Sequence, residues 1–140
     1  LLIRTAKGDL KFPGGGLEEN ETFEEALIRE IREETGYVNV KVKTDNPFAT
    51  YIERKIDEYD TQAIFESRSY YSFVNVIGEE PIEVKLDHYE ELLQFQAEWI
   101  PIKDAIIQNT YALFSEEEPN DWLKREITIL QALLEWKKSQ

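Results

Sequence analysis

Between Pro13 and Tyr37 the chain reads PGGGLEENETFEEALIREIREETGY, and three of its carboxylates, Glu30, Glu33 and Glu34, recur at helical spacing. On a helix turning about 100° per residue they share an arc of about 100°. Like charges so placed cost roughly 0.2–0.5 kcal/mol per pair unless a counterion offsets them. Hard divalent ions, Mg²⁺ above all, take carboxylate and carbonyl oxygens and keep water or substrate phosphates in their remaining positions. The preceding glycine run lets the backbone pass close to a metal or phosphate and expose carbonyl and amide groups. A solvated surface is the plainer reading of most acidic helices, and a tight turn that of an isolated glycine run. Side by side, the two point to a cation site.

The elements that must position these groups can be read locally. Leu1–Arg4 is an apolar start, TAKGD (Thr5 to Asp9) offers turn chemistry, and LKF follows, which predicts a hairpin entering the glycine loop. Thr22 with Glu25 three residues on forms a capping box, and Gly36 is placed to end the helix between them. Phe23, Leu27 and Ile31 overlap the edge of the carboxylate arc and continue toward the core, while Ala26 leaves room beside the acids. Val38–Thr44 alternates as a strand, Ser67–Gly78 reads as another, and Ala97–Ile102 as a short one leading into a helix at KDAIIQN. Ile52–Ile64 shows no clear pattern. Apolar Trp122, Ile127, Leu130, Leu133 and Leu134 recur at helical spacing from Asp121 to Lys138. Strands interspersed with helices predict an α/β (α+β) chain with a mixed sheet between helices, forming one domain over 1–140.

Composition narrows the function. With 29 acidic and 16 basic residues, a formal charge of −13 repels polyanions and argues against a nucleic-acid partner. The absence of cysteine excludes thiolate metal sites and cysteine nucleophiles, and the single histidine, His88, argues against histidine-rich centres, so any metal must be held by oxygen. No apolar run is long enough for a membrane span, and the expected location is the cytoplasm. The chain opens Leu-Leu-Ile-Arg and contains no methionine, so an N-terminal portion is expected to be missing.

The spacing Gly15, five residues, Glu21, seven residues, then Arg29-Glu30-Ile31-Arg32-Glu33-Glu34-Thr35-Gly36-Tyr37 resembles the signature of the Nudix hydrolase (MutT-like) family. LKFPGGG resembles that family's usual approach to it. One departure is Tyr37, where the family carries an aliphatic residue that packs rather than reacts. The resemblance implies an α/β/α sandwich and Mg²⁺- or Mn²⁺-dependent hydrolysis of a nucleoside diphosphate linked to another moiety, a nucleotide, nucleotide sugar or dinucleotide. It implies Glu33 and Glu34 as metal ligands with the Gly14 carbonyl, and Glu30 as a further ligand or the general base. Arg29 resembles the residue that orients a catalytic glutamate, and Glu21 the one that supports the loop–helix junction. Water cleaves such a bond without a serine or cysteine nucleophile, a carboxylate taking its proton.

Members of this family often add one acid from farther along the chain, and the candidates are Glu90, Glu91 and Glu98, with the first two favoured because Glu98 adjoins a strand. His88 reads as an ordinary surface histidine. Phe48, Tyr51, Tyr70 and Tyr71 could stack on a nucleobase, though strand filling is the commoner role of such residues. A second function of another class is a catalytically silent module that senses a nucleotide metabolite, formed as a homodimer or with a partner through the C-terminal helix. Retention of Arg29, Glu30, Glu33 and Glu34 together favours the enzyme. For that helix, packing of Trp122, Leu130 and Leu134 on the sheet is the preferred reading.

Overall fold

The computed structural model describes residues 1–43, 46–78 and 84–140. They divide into two compact units, Leu1–Lys41 with Val76–Gln140, and Val42–Asn75.

The first unit is built on three short strands in the order β2-β1-β7: β1 (Leu2–Arg4), β2 (Leu10–Lys11) and, far along the chain, the strand Gln96–Glu98 called β7. Both pairings are antiparallel, with Ile3 opposite Lys11 and Ala97, and Leu2 opposite Glu98. The expected hairpin at Thr5–Asp9 joins β1 to β2, and Gly8 takes φ +83° in its turn.

Because side chains alternate across a strand, the register sorts residues onto two faces. Leu2, Arg4, Leu10 and Glu98 share one face; Ile3, Lys11 and Ala97 share the other. The first face packs on α3 (Ile102–Ser115) and α4 (Leu123–Lys138), where Leu2 and Leu10 form a buried cluster with Ala105 and Leu130. The preferred packing of the C-terminal helix on the sheet is thus observed at Leu130. On the opposite face lies α1 (Phe23–Thr35), whose Glu34 meets Lys11. Helices cover both faces of the sheet, which is the expected α/β/α arrangement.

Edge strand β2 leaves backbone groups to satisfy, and the helices supply the partners. Asn109 of α3 is fully buried; its Oδ1 accepts the Leu10 N–H and its Nδ2 donates to the Leu10 carbonyl, each at 2.8 Å. Glu126 of α4 accepts the Phe12 N–H at 2.8 Å. Buried Asp9 accepts from Thr5 Oγ1, Asn120 Nδ2 and the Trp122 indole N–H, tying the hairpin to the start of α4. These polar side chains do for the edge what another strand would do.

In α1 the capping box is complete, Thr22 accepting from the Glu25 N–H and Glu25 from the Thr22 N–H, and Gly36 closes the helix at φ 77°. Phe23 departs from expectation, with 59% of its surface exposed. It lies on the core side by angle, but one turn before Ala26, the first residue that side buries. A short helix, α2 (His88–Leu92), carries the acids expected downstream; its cap is Asp87, paired with Glu90.

The second unit contains β4 (Ala49–Ile56) and β5 (Ile64–Tyr71), an antiparallel hairpin from Ala49↔Tyr71 to Ile56↔Ile64. Asp57 Oδ1 closes its loop by accepting the Tyr59 and Asp60 N–H groups. The chain passes between units through β3 (Val40–Val42) and β6 (Val74–Val76). The strand expected over Ser67–Gly78 is therefore two. The backbone changes partner after Tyr71, whose carbonyl takes the Phe48 N–H, whereas the Phe73 carbonyl takes that of Lys43. Likewise the strand expected over Ala97–Ile102 ends at Glu98, because Pro101 is the N-cap of α3. Thr44, the end of another expected strand, lies outside the described residues. No helix among the described residues is long and apolar enough to cross a membrane.

Candidate active site

Carboxylate oxygens of Glu30, Glu34 and Glu90 lie within 4.8 Å of one another. Two come from one face of α1 and the third from α2, brought beside it by the return of the chain into β7. The sheet register explains which distal acid joins. Glu98 belongs to the face of Leu2 and Arg4 and is held there by Arg4 Nε at 2.5 Å, on the side of the sheet away from α1. Glu91 is exposed and absent from the group, and His88 is exposed at the start of α2.

Glu34 is the buried member, with 1% of its side chain exposed. Its Oε2 accepts the Gly14 N–H at 2.9 Å, and its Oε1 pairs with Lys11 Nζ at 2.6 Å. Burial pushes its carboxyl up to about 7, against the opposing pull of Lys11 and the Gly14 N–H and with a further upward push from the charge of Glu90. Lys11 also lies 3.3 Å from the Gly14 carbonyl and 4.8 Å over the Phe95 ring.

The glycine run has separable duties. Gly14 holds φ +149°, a conformation costly for any side chain. At Gly15 an added Cβ would meet the Glu30 carboxyl, 2.6 Å from Cδ, so only glycine lets that acid lie against the loop. A Cβ on Gly16 meets nothing.

Arg29 organises the remaining acids. Its Nη1 donates to Glu30 Oε1 at 2.7 Å and Glu33 Oε2 at 3.1 Å, its Nη2 to the Gly16 carbonyl at 3.1 Å, and Glu21 takes the rest of its fork. Glu21 is held down to about 2, chiefly by these hydrogen bonds. Glu33, 38% exposed, stands outside the group of three carboxylates. Tyr37 accepts the Trp99 indole N–H at 3.1 Å, in an edge-to-face contact with ring centres 6.3 Å apart. The aromatic residues Phe48, Tyr51, Tyr70 and Tyr71 belong to the second unit, where Phe48 packs on Phe73 at 5.0 Å.

Lys11 was not among the sequence candidates. Its signal was a basic residue two positions before the Pro13-Gly14 turn in a strongly acidic chain, but only the fold shows which carboxylate it meets.

The donor set suits a hard divalent cation: clustered carboxylates, one of them buried, beside a glycine backbone that brings a carbonyl to the same cation-binding place. Chemically, such a set can bind an ion and, through it, a polyphosphate.

The family model described as the NUDIX domain matches residues 1–123. No curated protein matches the chain. Among solved structures it is similar to the crystal structure of C. elegans Ap4A hydrolase, at 19% identity and a TM-score of 0.44, covering 93% of this chain and 84% of that one.

Proposed function

This chain belongs to the NUDIX domain family and is a hydrolase of pyrophosphate bonds, and from that premise we propose that it cleaves a nucleoside diphosphate linked to another moiety with Mg²⁺ or Mn²⁺ as cofactor. The observation that carries this reading is the convergence of Glu30, Glu34 and Glu90 within 4.8 Å. These three, with the Gly14 carbonyl, would hold the cation, and Glu33 stands near enough on α1 to join them. When bound, such an ion neutralises pyrophosphate oxygens and lowers the pKa of water.

The chain's own groups do the rest. Arg29 fixes Glu30 and Glu33 in one orientation through a single nitrogen, Nη1, which limits the rotamers either carboxylate can sample. A carboxylate of this group not committed to the ion takes the proton of the attacking water. The water oxygen bonds to one phosphorus, and the bridging oxygen leaves with the other phosphate. Glu21 anchors Arg29 to the loop–helix junction. The protein's charge of −13 would repel a polyphosphate, so the substrate is captured through cations rather than through a basic surface.

Incubation with Mg²⁺ and a panel of nucleoside triphosphates, ADP-ribose, nucleotide sugars, dinucleoside polyphosphates and NADH, followed by mass spectrometry of the products, tests the reading. Cleavage of one class at its pyrophosphate bond is the expected result. An intact panel in both Mg²⁺ and Mn²⁺ would overturn it.

A further inference from the structure

Lys11 Nζ rests on two oxygens that the proposed cation site would use, Glu34 Oε1 and the Gly14 carbonyl. Of the two Glu34 carboxylate oxygens, Oε2 accepts the Gly14 N–H and Oε1 is the one that already meets a cation, Lys11 Nζ at 2.6 Å. The same ammonium lies 3.3 Å from the Gly14 carbonyl. Its side chain is 11% exposed, seated over Phe95 and rooted on the sheet face of fully buried Ile3.

We infer that Lys11 is a built-in counter-cation that neutralises Glu34 before metal enters and must leave Glu34 Oε1 when metal binds. The inference rests on the proposed cation site. A Mg²⁺ ion would take that oxygen at about 2.0–2.1 Å, and the charge repulsion then drives an ammonium at hydrogen-bond distance from the same oxygen away from it. Lysine suits the role because its charge is a compact point on a flexible four-carbon stem, free to rotate away where a forked guanidinium would be locked in place. Two consequences follow. Lys11 stabilises the metal-free protein by pairing a buried carboxylate, and it weakens metal binding by the work of its own displacement. It is a positioning residue that sets the metal concentration at which the site fills.

Two measurements test this together. Mn²⁺ binding is followed by electron paramagnetic resonance in wild type and in Lys11→Met, which keeps the length and the contact with Phe95 but removes the charge. The variant is expected to bind with a dissociation constant lower by about tenfold. In wild type, acylation of individual lysines by acetic anhydride is mapped by mass spectrometry, with and without saturating Mg²⁺. Lys11 is expected to be protected without the ion and several-fold more reactive with it, while Lys138 is unchanged. Equal Mn²⁺ affinity in the two proteins, or a Lys11 still protected with the ion bound, overturns the role of Lys11 and leaves the cation site standing. Absence of Mn²⁺ binding in both proteins removes the cation site and this inference together. Should Lys11→Met fail to fold, the acylation of wild type decides alone.

Discussion

Arg29 grips Glu21 with two parallel hydrogen bonds, Nε to Oε1 at 2.7 Å and Nη2 to Oε2 at 2.9 Å, across eight positions of sequence. That fork fixes the guanidinium, and the guanidinium in turn fixes Glu30 and Glu33. A lysine at position 29 would keep the charge and lose the fork. We expect Arg29→Lys and Glu21→Gln each to lower kcat by about 10- to 100-fold, the usual cost of removing a group that orients metal-site carboxylates. Circular dichroism should show an unchanged fold. Wild-type kcat in both variants would mean that the orientation is set elsewhere.

Gly15 and Gly16 make a matched pair. An alanine methyl at 15 meets the carboxyl end of Glu30, a flexible side chain that can move aside, so the protein folds and its acid is displaced. At 16 the methyl meets open space. Gly15→Ala should therefore lose about tenfold or more in kcat, with a melting temperature close to wild type, while Gly16→Ala retains both. Steady-state kinetics and thermal melts of the two variants decide the point.

Glu34 gives the metal-free protein a particular pH dependence. Its carboxyl is raised from the ordinary range to about 7 by burial, so the native state holds a proton that the unfolded chain releases. The associated stability is fully present below the ordinary carboxylate range and is lost as pH rises through about 7. The melting temperature in EDTA should fall between about pH 5 and about pH 8, and Mg²⁺ should restore it most at the upper end. Glu34→Gln should flatten the profile and abolish turnover while remaining folded, since a neutral amide of the same shape replaces a carboxyl that burial already keeps protonated below about 7. A wild-type melting temperature that rises over this range would contradict the assignment.

The edge of β2 carries a stability effect that does not involve the site. Replacing Asn109 by leucine removes both partners of the Leu10 backbone groups, which stay buried. Leaving two such groups unsatisfied should cost about 2–4 kcal/mol, read from urea unfolding at fixed pH. A smaller loss than about 1 kcal/mol would show that water reaches the edge.

Local signals were legible in the sequence and long-range ones were not. Thr22, Glu25 and Gly36 bound α1 through contacts three or four residues apart, so the capping box could be read directly. The same periodicity put Glu30, Glu33 and Glu34 on one side of the helix. It did not show that Glu34 lies under Lys11, because that pairing depends on which face of β2 meets α1. The hairpin of β4 and β5 escaped notice because most of its residues face solvent, including Ile52, Ile56, Ile64 and Phe65, so no apolar alternation marks a buried side. Setting Glu98 aside needed the register Leu2↔Glu98, which turns it to the far face of the sheet, and choosing Glu90 over Glu91 needed the packing that brings α2 beside α1.

The most direct test of the carboxylate centre compares Mn²⁺ bound by wild type, Glu90→Gln and Glu91→Gln, read by electron paramagnetic resonance at one metal concentration near the wild-type midpoint. A Glu90 carboxylate oxygen lies within 4.8 Å of those of Glu30 and Glu34, and Glu91 is not in that group. Loss of most bound Mn²⁺ in Glu90→Gln with wild-type binding in Glu91→Gln is the predicted result. Wild-type binding in Glu90→Gln, or loss confined to Glu91→Gln, would contradict the centre described above.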